Sequence, residues 1–127
     1  MNGKTDLSIK IDSVLLNIRV AVLIHTQKGY IFEQCTSGYF FPVGGRVKTG
    51  EPTEDAARRE VFEELGLTMP QCKLNAVVEN FFISDSRVPF HELCFFINVN
   101  MGKSLLSRKT FTPLRRMKYG EEMSVPG

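Results

Sequence analysis

Between Gly45 and Leu67 the chain reads GRVKTGEPTEDAARREVFEELGL, which sets a glycine, an arginine and four glutamates at fixed spacings. As a pattern it is G-x5-E-x7-R-E-U-x-E-E-x-G-U, with Val61 and Leu67 at the bulky apolar U positions, and every specified position is filled. On a helical wheel Glu64 lies about 40° to one side of Glu60 and Glu63 about 60° to the other. Three carboxylates thus share one stripe, and a pair such as Glu60/Glu64 is mildly destabilising on an ordinary helix. A binding partner is the usual reason for such a stripe to persist. Hard carboxylate oxygens suit Mg²⁺ or Mn²⁺, ions that retain water and are completed by phosphate oxygens. Arg59, next to Glu60 in sequence and Glu63 on the wheel, can orient either by a charge-assisted hydrogen bond. REVFEELG taken alone reads as a solvated acidic face. The glycines and Glu51 at fixed distance are what favour a metal–diphosphate site.

The elements that must position these residues are legible around them. Ser8–Ile11 alternates weakly, as a short strand does. Val14–His25 (VLLNIRVAVLIH) is almost wholly apolar and reads as a buried strand. Gln27-Lys28-Gly29 turns the chain into a returning strand, Tyr30–Cys35, which Thr36-Ser37-Gly38 breaks before the brief extended segment Tyr39–Phe41. Pro42–Gly50, with Gly44, Gly45 and Gly50, reads as an irregular loop whose backbone lies open to a ligand. Pro52 suits a first helical turn, Glu51, Glu54 and Asp55 complement the positive end of its dipole, and Gly66 is a stop after about Leu65. Ala57, Val61 and Leu65 form the apolar stripe that pins this helix to a sheet. Asn75–Ser84 and His91–Asn100 read as two strands joined by a loop. Two buried-type strands before one helix and two after it give an α/β sheet with helical cover. Thr112-Pro113 opens at most a turn or two of helix through Tyr119.

The whole chain sets bounds. Its 127 residues make one domain with one core, Phe-rich, with ten Phe and no Trp. A net charge of +2 argues for neither nucleic acid nor an anionic membrane as partner. The charge is uneven: residues 101–127 carry six basic residues against Glu121 and Glu122, leaving the first hundred at −2. Such a basic tail gathers an anionic substrate or is simply a solvated end. Cys35, Cys72 and Cys94 are odd in number and far apart, and with only His25 and His91 there is no zinc-like cluster. Unpaired cysteines fit a reducing compartment, and Asp6, Lys10 and Asp12 break up any apolar N-terminal run. The expectation is a cytoplasmic protein without membrane span.

The 23-residue run resembles the Nudix box, complete and without substitution, and FFPVGGRV resembles the family's proline-glycine-glycine approach to it. Val43 separates Pro42 from Gly44-Gly45, where many members have proline directly before the two glycines. The resemblance covers residues 14–100. It implies an α/β/α sandwich around a mixed sheet, with the C-terminal helix short or missing in this chain. It also implies Mg²⁺- or Mn²⁺-dependent hydrolysis of a nucleoside diphosphate linked to another moiety. By motif position Glu60, Glu63 and Glu64 are the catalytic and metal-binding residues: Glu63 and Glu64 as ligands, Glu60 as general base or shared ligand. The carbonyl of Gly44 or Gly45 adds a ligand, and Arg59 and Glu51 hold the loop–helix geometry.

Outside the box, Glu92, Glu79 and Glu121-Glu122 are candidates for a further acidic ligand, and Glu92 equally for a hydrogen-bonded strand carboxylate. Arg19, costly to bury unpaired, faces a phosphate or pairs with a carboxylate. Arg46, beside the glycines, contacts phosphate or is exposed. His91 reads as structural. Tyr39, Phe40, Phe81, Phe82 and Phe90 can stack a base, though most read as core. The rival readings are a catalytically inactive nucleotide-binding or sensor module, and an RNA-directed member using the basic tail, for which no RNA-binding motif is present. A second subunit, as in a homodimer, is one source of cover for the sheet face that a short C-terminal helix leaves open.

Overall fold

The computed structural model describes residues 4–102. Its centre is β2 (Val14–Thr26), flanked by β1 (Ser8–Ile11), β3 (Gly29–Ile31), β6 (Val43–Arg46), β7 (Cys72–Ile83) and β8 (Pro89–Gly102). Strand β2 pairs antiparallel with β1, β6 and β3, and parallel with β8, and β7 closes the far edge antiparallel to β8. The sheet is therefore mixed. The one helix among the described residues, α1 (Thr53–Leu65), packs on it. The expected C-terminal helix and basic tail fall on residues 103–127, outside the described residues.

Alternation along β2 assigns its faces. Val20, Val22 and Ile24 join Ile97, Val99 and Met101 of β8 in the core beneath Ala56, Ala57 and Val61 of α1. The two alanines let helix and sheet approach closely. Each fully buried Val or Ile contributes about 1.5–3 kcal/mol. Helix α1 follows Pro52, and Gly66 ends it in the left-handed region at φ 71°, its N–H donating to the Phe62 carbonyl at 2.8 Å.

Two expectations change. Part of the glycine segment is a strand, because Val43–Arg46 is laddered to Arg19–Val22. The glycine is needed for proximity: a Cβ on Gly44 would lie 2.1 Å from the Val20 carbonyl oxygen. Strand β6 in turn occupies the edge of β2 along which Tyr30–Cys35 would have run. The returning strand therefore stops at Ile31, and β4 (Glu33–Gln34) pairs instead with β5 (Phe40–Phe41) in a separate two-stranded sheet. Several aromatics expected in the core lie outside it, with Tyr39, Phe40 and Phe81 exposed. Phe90 is buried and stacks on Phe82, ring centroids 4.8 Å apart.

Candidate metal and phosphate site

The acidic stripe is built around one guanidinium. Arg59 donates through Nε to Glu51 Oε2 at 2.7 Å and through Nη2 to Glu51 Oε1 at 2.9 Å. Its Nη1 donates to Glu60 Oε2 at 2.9 Å, and Nη2 also reaches the Arg46 carbonyl at 2.9 Å. Glu63 lies 3.6 Å from Nη1. A two-toothed guanidinium–carboxylate pair is the strongest geometry available to these groups. Here it ties the loop before α1 to the helix and to the end of β6. Glu51 also accepts from the Lys48 backbone N–H at 3.0 Å.

Electrostatics follow from that wiring. Burial is the largest influence on Glu51 and pushes its carboxyl upward. The Arg59 and Lys48 hydrogen bonds, with the Arg59 and Lys4 charges, outweigh it and hold Glu51 below the usual carboxylate range. Hydrogen bonding to Glu51 raises Arg59 still further above its ordinary value, against burial and with help from Glu60.

The three helix carboxylates do not share one environment. Glu60 and Glu64 are buried, whereas the Glu63 side chain is 46% exposed. Glu60 lies over Gly45, where an added Cβ would stand 2.3 Å from Glu60 Oε2. The second glycine of the pair is thus a seat for a carboxylate. Among the described residues no group of three or more His, Cys, Asp and Glu side chains is arranged to hold a metal ion. Mg²⁺ does not require one, being held by one or two carboxylates with water and phosphate oxygens completing the shell. Glu60, Glu63 and Glu64 are hard oxygen donors of that kind, and of the three Glu60 lies over Gly45.

The candidates outside the box form a different group. Glu92 is buried on β8, accepting from Asn17 Nδ2 at 2.8 Å and from Asn80 Nδ2 at 3.3 Å, with Arg19 Nη1 at 3.9 Å. Arg46 donates through Nε to Asn17 Oδ1 at 2.9 Å and lies 3.7 Å from Asp6. Arg19 and Arg46 are register partners on β2 and β6. The structure therefore brings Arg19, Arg46 and Glu92 together, and the Arg46 carbonyl joins them to the Arg59 hub. Glu79 is spent on His91, 3.1 Å away at the surface. Glu121-Glu122 lie outside the described residues. Asn17 and Asn80 are the residues that sequence reasoning passed over. A polar amide inside the apolar run VLLNIRV was the available signal for Asn17, whereas Asn80 carried none.

Among the described residues no helix is long and apolar enough to cross a membrane. No curated protein matches the chain. Solved structures do. The crystal structure of the mutator MutT protein from Bacillus halodurans superposes with a TM-score of 0.59 at 16% identity, covering 66% of this chain and 56% of that one. The chain therefore spans little more than half the length of that protein. A MutT Nudix hydrolase from Burkholderia pseudomallei superposes with a TM-score of 0.57 at 22% identity, covering 67% of each chain. At such identities the likeness is one of fold. The sequence itself matches the profile of the NUDIX domain over residues 12–110, a span that contains every strand of the mixed sheet except β1, the Arg59 hub and the complete box. By that match the chain belongs to the Nudix hydrolase family.

Proposed function

We propose that the protein hydrolyses a phosphoanhydride bond in a nucleoside diphosphate linked to another moiety, by attack of water on phosphorus. The observation that carries this reading is the Arg59 guanidinium, hydrogen-bonded at once to Glu51, Glu60 and the Arg46 carbonyl. It holds the acids of the loop and of the helix as one unit. When bound, Mg²⁺ or Mn²⁺ would neutralise diphosphate charge and polarise the reacting phosphorus. Glu63 and Glu64 would hold the ion, with a carbonyl of Gly44 or Gly45. Glu60, fixed by Arg59 over Gly45, takes the proton from the attacking water. Arg19 and Arg46 contact phosphate, as guanidiniums do with their forked donors.

The test is a screen of nucleoside diphosphate derivatives with Mg²⁺, scoring released nucleoside monophosphate or phosphate. Glu63→Gln should lower turnover by about three orders of magnitude with the fold intact, the scale expected when transition-state charge stabilisation is removed. Binding without turnover across the screen, or full activity in Glu63→Gln, would sink the assignment.

A further inference from the structure

Arg19 and Arg46 lie directly opposite each other on β2 and β6, an arrangement that repels across antiparallel strands. Their carboxylate partners do little to spend them. Arg19 meets Glu92 at 3.9 Å and Arg46 meets Asp6 at 3.7 Å, both too long for a hydrogen bond. Asp6 is itself shared with Lys48 at 3.0 Å. Three cations thus face two carboxylates, and the guanidinium side chains remain 19% and 35% exposed.

What joins the two arginines is a short buried relay. Arg46 Nε donates to Asn17 Oδ1, Asn17 Nδ2 donates to Glu92 Oε2, and that same oxygen is the one facing Arg19 Nη1. Asn80 holds the other Glu92 oxygen. Asn17 is 2% exposed and Glu92 5%. Burying an amide and a carboxylate is costly unless each finds partners, and here both ends of the amide and both carboxylate oxygens do. A buried polar pair so fully engaged is rigid.

We propose that Asn17 and Glu92 are positioning residues, which touch no substrate and set Arg19 and Arg46 as a clamp for a phosphate group of the nucleotide. This rests on the reading of the two arginines as phosphate contacts. Glu92 then serves the arginine geometry and is not a metal ligand.

The probe is inorganic pyrophosphate, titrated calorimetrically into the full chain in EDTA, so that the clamp is read without metal. The chain should bind it, and Arg19→Gln and Arg46→Gln should each weaken binding about tenfold. Asn17→Ala should weaken it about fivefold in the parent, and by less than twofold in the Arg46→Gln background, because Asn17 acts through Arg46. A merely structural Asn17 would shift the melting temperature and leave that non-additivity absent. Arg46→Lys, which keeps the charge and loses Nε, should also weaken binding about tenfold, and it tests the geometry even if Asn17→Ala fails to fold. Mn²⁺ affinity by electron paramagnetic resonance should stay within twofold in Glu92→Gln. No pyrophosphate binding by the parent chain, retained affinity in Arg46→Lys, or a tenfold loss of Mn²⁺ affinity in Glu92→Gln would overturn the proposal. Pyrophosphate binding intact with no Mn²⁺ bound at Glu63 and Glu64 would uphold the clamp and overturn the hydrolase reading.

Discussion

The two arginine clusters of this fold, one on the helix and one on the sheet, use the same ions in opposite ways. At the loop–helix junction Arg59 makes four hydrogen bonds of 2.7–2.9 Å, to two carboxylates and a carbonyl. Arg19 and Arg46 meet their carboxylates only at 3.9 and 3.7 Å. A guanidinium whose donors are consumed is a structural rivet. One held by distant charge retains donors for a ligand. Residue type is identical in the two places, so the difference lies in how closely the fold brings an acid.

Removing the charge in each place should separate the roles most sharply. Arg59→Gln leaves half-buried Glu51 and buried Glu60 without their cation, and breaking a buried pair from one side costs about 3–5 kcal/mol. Arg19→Gln removes one 3.9 Å contact and leaves Glu92 its two amide donors, so it should cost clearly less. Urea midpoints measure both. Equal losses would erase the distinction between the two clusters.

Gly45→Ala probes the junction from the other side. The added Cβ would meet a Glu60 carboxylate that Arg59 fixes, so the carboxylate must shift by a substantial fraction of an ångström. Displacements of that order cost roughly a hundredfold in rate. Turnover should fall accordingly on any substrate found in the screen, with stability lowered by about 1–3 kcal/mol from overpacking. Unchanged turnover would mean that Glu60 works from another position.

These expectations also mark what the sequence could say. The helix was legible to its last residue, because Pro52, the acidic first turn and Gly66 are each local signals. That Arg59 orients Glu60 or Glu63 was legible from adjacency and the helical wheel, and motif position gave Arg59 and Glu51 a shared structural role, but their direct hydrogen bonds needed the fold. Strand β6 was hidden, since its two glycines carry no strand preference and only the approach of Val20 across the ladder makes the segment extended. The Asn17–Glu92 bond spans 75 positions. It depends on the parallel register of β2 with β8, which no local pattern encodes.

Acid should attack the rivet first. The Glu51 carboxyl is held below its ordinary 4.5, so its contribution is fully present above that value and is lost as pH falls through the depressed folded value. The parent chain should therefore lose stability below about pH 4.5 more steeply than Arg59→Gln, in which the largest favourable partner is gone. Chemical denaturation between pH 3 and 6 measures the two slopes; parallel slopes would mean that Glu51 is not the titrating group.

The smallest effect reports on the looser cluster. Cys94 is the register partner of Arg19 on β8, is 5% exposed, and is pushed up to about 11 by burial, with Arg19 pulling it down and Glu92 pushing it up. At pH 8 only about one thiol in a thousand is then ionised, so its alkylation should be roughly a hundredfold slower folded than in urea. Arg19→Gln removes the one favourable charge and should slow alkylation by about a further twofold, followed peptide by peptide in a mass spectrometer. The sign is what decides. If the variant reacts faster, the Arg19 side chain works chiefly as a cover over the thiol, packed too tightly to swing toward a phosphate. Slower reaction means that its charge is felt across the strand while its donors stay available, which is the state a clamp requires.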